Sequence, residues 1–199
     1  MLYNPFKWNY IKILSNPTRS ATHRYLAEFK CAPKSAGAET VHDSITLTNE
    51  AQTIDTEFKD IDLARPILIT KKSNSVAGNV KLYGTDILGR SITETISLPT
   101  GATTIESTKA FKSVTKADLP AYTTEGDWIK IGTVNKIGLP ALFDEDRIIL
   151  TIFDKAQITH TGTYSKSDIA LNILAPTGAT FNDTKELIVI FIPCYEEEA

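Results

Sequence analysis

NVKLYGTDILGRSITETISLPTGATTIESTKAFKSVT, residues 79–115, decides the fold class of this chain. Apolar side chains recur at every second position, as in Val80 and Leu82 or Ile92, Ile96 and Leu98. A period of two puts alternate side chains on opposite faces of an extended strand, so each strand has one buried and one wet side. The breaks fall at Gly84-Thr85-Asp86, Leu88-Gly89-Arg90 and Pro99-Thr100-Gly101-Ala102. Asp86 and Gly89 bracket a short reversal, while Pro99 presets φ and Gly101 supplies the positive φ that turns require. The stretch reads as two successive β-hairpins. Thr, Ser, Lys and Glu fill the outward positions, which suits a scaffold or an interface rather than bond-making.

The same grammar extends on both sides. Ser44–Thr48, Gln52–Glu57, Pro66–Lys71, Asp127–Thr133, Arg147–Phe153, Ile169–Leu174 and Leu187–Ile192 are rich in Ile, Val, Thr, Phe or Tyr and bounded by Gly, Pro, Asn or Asp. Within the opening stretch the strands are Asn79–Gly84, Ser91–Leu98, Thr103–Ser107 and Phe111–Thr115. No amphipathic helix is apparent. Short strands with turn signals every 8–12 residues predict an all-β chain, a β-sandwich of jelly-roll or Ig-like type. Leu98-Pro99-Thr100-Gly101-Ala102-Thr103 is echoed by Ala175-Pro176-Thr177-Gly178-Ala179-Thr180. Two copies are too few for a repeat architecture, so this reads as reuse of a favourable turn.

Residues 1–40 differ in character. Tyr3, Phe6, Trp8, Tyr10 and Tyr25 make them aromatic-rich, and Asn4-Pro5, Asn16-Pro17 and Ala32-Pro33 interrupt any long element. Phe6, Trp8 and Tyr10 share parity, as expected of an extended piece. The expected organisation is an N-terminal arm over 1–40 and a β-sandwich domain over 41–199. The arm docks on its own domain or on a neighbouring subunit, with Tyr3, Phe6, Trp8 and Tyr10 as its partner-binding residues. Deleting residues 1–30 is expected to leave a folded domain.

With 199 residues the chain can bury roughly 70% of its unfolded surface, so it needs no disulfide or metal staple. A net charge of −3 gives no clustered basic face for nucleic acid. Lys71-Lys72 is the only adjacent basic pair and reads as solvated surface. Cys31 and Cys194 stand near opposite ends, either as two thiols of a reducing compartment or as one bridge. MLYNPFKWNYIKIL has aromatic and polar residues where a signal peptide has a continuous apolar core. The longest apolar run, Leu187 to Ile192, is far short of the ~20 residues that span a bilayer. Synthesis in the cytoplasm is expected, with no membrane partner.

Each candidate for chemistry has a plainer reading beside it. Glu94 shares parity with Ile92, Ile96 and Leu98, so it is an inward carboxylate: an acid, a subunit-contact charge, one half of an edge ion pair with Lys or Arg, or an inward charge that discourages edge aggregation. Asp144-Glu145-Asp146 with Asp154 offers cation ligands but lacks a calcium-loop pattern, and so reads as a solvated turn. His160, Ser165 and Asp168 are close in sequence without a nucleophile elbow. His23, His42 and His160 are too scattered for zinc, and neither cysteine sits in a C-x-x-C pair. Gly132–Gly138 lacks the Gly-Lys-Ser/Thr ending of a phosphate loop. No catalytic, cofactor-binding or metal residue is expected, and no enzyme.

The run from Gly78 to Pro140 resembles a family of tailed-bacteriophage virion proteins of the head-decoration or auxiliary-capsid type. The likeness lies in the order of Val76-Ala77-Gly78-Asn79-Val80, Gly84-Thr85-Asp86 with Gly89, Ile92-Thr93-Glu94-Thr95-Ile96 and Lys109-Ala110-Phe111-Lys112-Ser113-Val114. Ile131-Gly132-Thr133, Gly138-Leu139-Pro140, Ala175-Pro176-Thr177-Gly178 and Asn182-Asp183-Thr184 extend it to roughly residues 66–193. The resemblance implies a virion structural protein that decorates or cements the capsid. Its partners would be the major capsid protein and copies of itself, with a trimer as the natural homo-oligomer. Alternatives are a tail-tube, connector or baseplate component, for which Asp154–Asp168 would be a ring-forming hairpin. A further one is a carbohydrate- or receptor-binding module built on Trp128 beside Asp127.

Overall fold

The computed structural model describes residues 26–193 and the backbone of residues 11–13. The elements in chain order begin with β1 (Ile11–Ile13), β2 (Ala27–Cys31), β3 (Gly37–Thr46), β4 (Gln52–Ile54), β5 (Arg65–Lys71), β6 (Gly78–Thr85), β7 (Ser91–Leu98) and β8 (Thr104–Phe111). There follow β9 (Ser113–Leu119), β10 (Trp128–Thr133), β11 (Ile137–Gly138), β12 (Ile148–Phe153), β13 (Ala156–Ile158), β14 (His160–Thr163), β15 (Ile173–Pro176) and β16 (Leu187–Phe191). The chain is all-β, and its described residues form four antiparallel sheets. A short 3-10 helix, Ile169–Leu171, stands where a strand was expected. Asp168 accepts the Ala170 N–H there and supplies a helix-type cap that the apolar run alone does not reveal.

Two sheets, ordered β3-β10-β5-β8 and β4-β9-β6-β7, share one apolar cluster. Ile67 and Ile69 from β5, Val80 and Leu82 from β6, Ile96 and Leu98 from β7, and Ile129 and Ile131 from β10 meet there. Each such side chain contributes about 1.5–3 kcal/mol when fully withdrawn from water. The first expected hairpin is real, since β6 and β7 pair along their whole length from Gly78–Leu98 to Thr85–Ser91. Asp86 closes it by accepting the N–H groups of Leu88 and Arg90, with Gly89 at φ 78.

The second hairpin is not a hairpin. β7 and β8 belong to different sheets, and the Pro99–Gly101 turn carries the chain from one to the other. A period of two shows that a strand has two faces, but not which neighbour takes its edge. The expected break between Ser107 and Phe111 is likewise a continuous strand. β8 and β9 are a single run that changes sheets at Lys112, whose ammonium donates to the carbonyls of Ile61 and Asp62.

The second core draws on both ends of the described chain. A sheet ordered β1-β2-β16-β12-β13 faces a smaller one ordered β11-β15-β14 across Phe29, Phe143, Phe153, Phe181 and Phe191. The interval 1–40 thus contains β1, β2 and the start of β3. β2 pairs with β16 over five positions and buries Ala27 and Phe29, so a deletion of residues 1–30 strips a core strand. Asp154 and Lys155, at φ 51 and 67, form the tight turn between β12 and β13. The Asp154–Asp168 segment is therefore not self-paired, because β13 pairs back to β12 and β14 forward to β15.

A single cation ties the two cores together. Arg65 is 1% exposed, and its guanidinium donates to Val134 O from both Nε and Nη2, to Lys34 O, and to Asp62 Oδ1 at 3.4 Å. It also lies over the Phe181 ring at 5.2 Å. Lys71 is the second surprise, because it is buried rather than solvated. Its ammonium donates to Val76 O and Pro99 O, both at 2.7 Å, which pins two turns onto β5, while desolvation lowers its pKa. Lys72 is exposed, as expected.

Cys31 is a buried thiol whose pKa is pushed from 9.0 to about 12, first by burial and then by Asp62. Cys194 lies outside the described residues. Thiolate is the reactive form, so Cys31 is expected to resist iodoacetamide at pH 8 until the protein unfolds, as read by peptide mass mapping. Because the folded state holds its proton longer, this group's stabilisation is complete below pH 9. It is lost as pH rises from there toward 12.

Candidate functional site

A cleft of about 460 Å³ lies between the two cores. Its size falls within the usual range of binding pockets. One wall is β8, where the pairing with β5 slips between Pro66–Ala110 and Leu68–Glu106. Residues 107–109 bulge out of the ladder as a result. Ser107 Oγ takes over the N–H of Ile67 at 2.7 Å and donates to Lys109 O at 2.7 Å. The remaining bulge amides belong to Glu94, which accepts Thr108 N–H at 2.6 Å and Lys109 N–H at 2.9 Å, and the Thr108 hydroxyl at 3.0 Å.

Glu94 is therefore neither an acid in a pocket nor half of an ion pair with Lys or Arg. It is a carboxylate cap for a β-bulge, and it bridges β7 to β8 where the backbone ladder does not. Glu94→Ala should cost about 1.5–3 kcal/mol by orphaning those amides. Glu94→Gln should cost less, since its one carbonyl oxygen still accepts. Urea unfolding checks the order, and faster hydrogen exchange confined to Thr108 and Lys109 checks the cause.

The other wall and floor come from β14 and β15. Thr161 lies opposite Ala175 and Thr163 opposite Ile173, so all four side chains share one face of that sheet. Leu174 and Gly162 point to the opposite face, and Leu174 is in the second core. Lys136 pairs with Glu106 at the rim, and Pro66 and Leu171 add apolar lining. Tyr164 also lines the cleft; burial raises its phenol pKa well above the ordinary value, and the Asp146 charge adds to this. Both hydrogen-bonding capacities of Ser107 are taken by backbone.

The other sequence candidates disperse. His160 has Nδ1 3.1 Å from Thr151 Oγ1 and Nε2 3.2 Å from Asp146 Oδ2. Ser165 Oγ accepts the N–H of Asp168, whose own carboxylate caps the 3-10 helix and lies 3.4 Å from Lys109. The three do not converge. Asp144 is held by both Nε and Nη2 of Arg147, and Asp146 accepts the Ile148 N–H. Among the described residues no three His, Cys, Asp or Glu side chains are placed to hold a metal ion.

Asp127 is 2% exposed and accepts the N–H groups of Thr123 and Thr124, so its carboxylate closes a turn. The Lys130 ammonium lies over one face of the Trp128 ring, 4.8 Å from its centroid. Tyr3, Phe6, Trp8 and Tyr10 lie outside the described residues. Sequence reasoning missed the cleft, because its walls, β8 and the β14–β15 pair, lie far apart in the chain and only the packing of two cores brings them together. The low-complexity run Thr161-Gly162-Thr163 was the one available signal. No protein-family model, curated protein or solved structure matches this chain.

Proposed function

We propose that this chain is a non-enzymatic structural protein of a tailed-bacteriophage virion, decorating or cementing the head through its N-terminal arm and free sheet edges. The observation that carries the reading is how the polar side chains are spent. Glu94, Asp86, Asp127, Ser107, Lys71 and Arg65 all hold backbone groups in place, which builds rigidity rather than reactivity. What stays exposed is edge. Among the described residues β7 has a strand neighbour on one side only, and it presents Thr93, Thr95 and Ser97 outward. Such edges pair with other chains unless they are covered.

On this reading the cluster shared by the two four-stranded sheets makes residues 37–133 a β-sandwich. The partners are the major capsid protein and further copies of the chain, with a trimer on three-fold sites, in particles assembled in the host cytoplasm. A tail-ring role loses its support with the ring hairpin, whose limbs are committed to different sheets. Cryo-electron microscopy of particles carrying the full chain with a C-terminal label tests the proposal. Label in a regular array on the head supports it. Label on the tail, or none on the particle, overturns it.

A further inference from the structure

We infer that the cleft receives the N-terminal aromatic segment of a second copy of this chain, added as a strand beside β14. The inference rests on the assembly role proposed above and names the acceptor for the arm. Among the described residues β14 is the outer strand of its sheet, pairing only with β15. Thr177 N–H donates to Thr159 O, which makes that facing pair a hydrogen-bonded one. In an antiparallel ladder such pairs alternate, so Thr161 and Thr163 also turn their backbone groups toward β15. The N–H and C=O groups of His160, Gly162 and Tyr164 face outward, and among the described residues they have no hydrogen-bond partner. An extended segment can take them by strand addition, with pockets for alternate side chains supplying specificity.

The cleft supplies the pocket. A strand laid beside β14 directs every second side chain to the face bearing Thr161, Thr163 and Ile173. Phe6, Trp8 and Tyr10 have that spacing. The intervening Lys7 and Asn9 then fall on the side of His160, where the half-exposed Asp146 carboxylate lies 3.2 Å from the His160 Nε2. Aromatic rings meet a floor of Ile173, Ala175 and threonine side chains, and the one lysine of the segment falls on the side of the Asp146 carboxylate.

The donor must be another copy. β1 starts at Ile11 on one edge of its sheet, and the order β1-β2-β16-β12-β13 puts four strand spacings, about 19 Å, between it and the strand that leads into β14. Trp8 stands three residues before Ile11 and reaches about 10 Å; Phe6 reaches about 17 Å at full extension. Neither spans the gap within one chain.

The test uses the full chain with a photoreactive benzoylphenylalanine replacing Trp8, mixed as 15N-labelled and unlabelled protein at the highest soluble concentration. Heavy–light crosslinked peptides joining the N-terminal segment to residues 160–175 are expected. They should fall at least tenfold in Ala175→Trp, which fills the floor, and in Thr161→Lys, an exposed change that leaves the core untouched. Crosslinks within one copy, crosslinks to another surface, no heavy–light product, or indifference to both variants overturn the inference. Particle binding is scored separately. Crosslinking without head incorporation sinks the virion reading alone, and incorporation without crosslinking sinks this one alone.

Discussion

Arg65→Ala is expected to destabilise the fold by about 3–5 kcal/mol, the usual cost of removing one member of a buried charged network. The guanidinium is sealed from solvent, so nothing replaces it. Val134 O and Lys34 O lose their donors, and Asp62 keeps only the Lys34 N–H. The carbonyls belong to the linkers that leave β2 and β10, and the stacked ring of Phe181 belongs to the second core. The loss therefore loosens the joint between the cores. At about 2–4 °C per kcal/mol for a chain of this length, the thermal midpoint should drop by roughly 6–20 °C. Arg65→Lys should fall between, since an ammonium keeps the charge without the planar fork that reaches several carbonyls at once. A differential scanning trace shows both. A midpoint within a degree or two of the parent for Arg65→Ala would mean that the cation is not the tie described here.

Gly84→Ala is the second large effect. A Cβ at Gly84 would sit 1.8 Å from Ser113 O and 2.9 Å from Ser113 C, and these are backbone atoms that cannot swing aside. The site is where the β6–β9 register slips, as the chain passes from β8 into β9. Accommodation requires moving one strand off the other, so the cost should exceed about 3 kcal/mol, beyond ordinary overpacking. Gly101→Ala is the control. Its Cβ meets nothing within 4 Å, and only φ 92 opposes it, at about 1–2 kcal/mol. Equal unfolding midpoints in urea for the two variants would contradict the close approach.

Much of this was written locally. Alternating Val80-Leu82 and Ile92-Ile96-Leu98 placed β6 and β7, because a half-buried strand must alternate whatever it packs against. Asp86-Gly89 placed their turn, since side-chain and φ requirements of a reversal are satisfied within five residues. The repeated Pro-Thr-Gly-Ala did mark two turns with left-handed glycines, Gly101 at φ 92 and Gly178 at φ 72. Lys71 escaped because a lysine's burial depends on which carbonyls happen to lie over it, here those of Val76 and Pro99. Glu94 was seen to point inward, but its partners are amides released by a slip of register in another strand. No pattern around Glu94 contains that slip.

The sequence by itself determined an all-β chain, its main strands and its sharpest turns, because these follow from side-chain period and backbone conformation a few residues at a time. Only the tertiary structure decided which sheet each strand joins, that the N- and C-terminal strands build a second core, and where the cleft between the cores lies. Those outcomes rest on edge-to-edge pairing and on packing between residues far apart in the chain, and period-two patterning leaves both open.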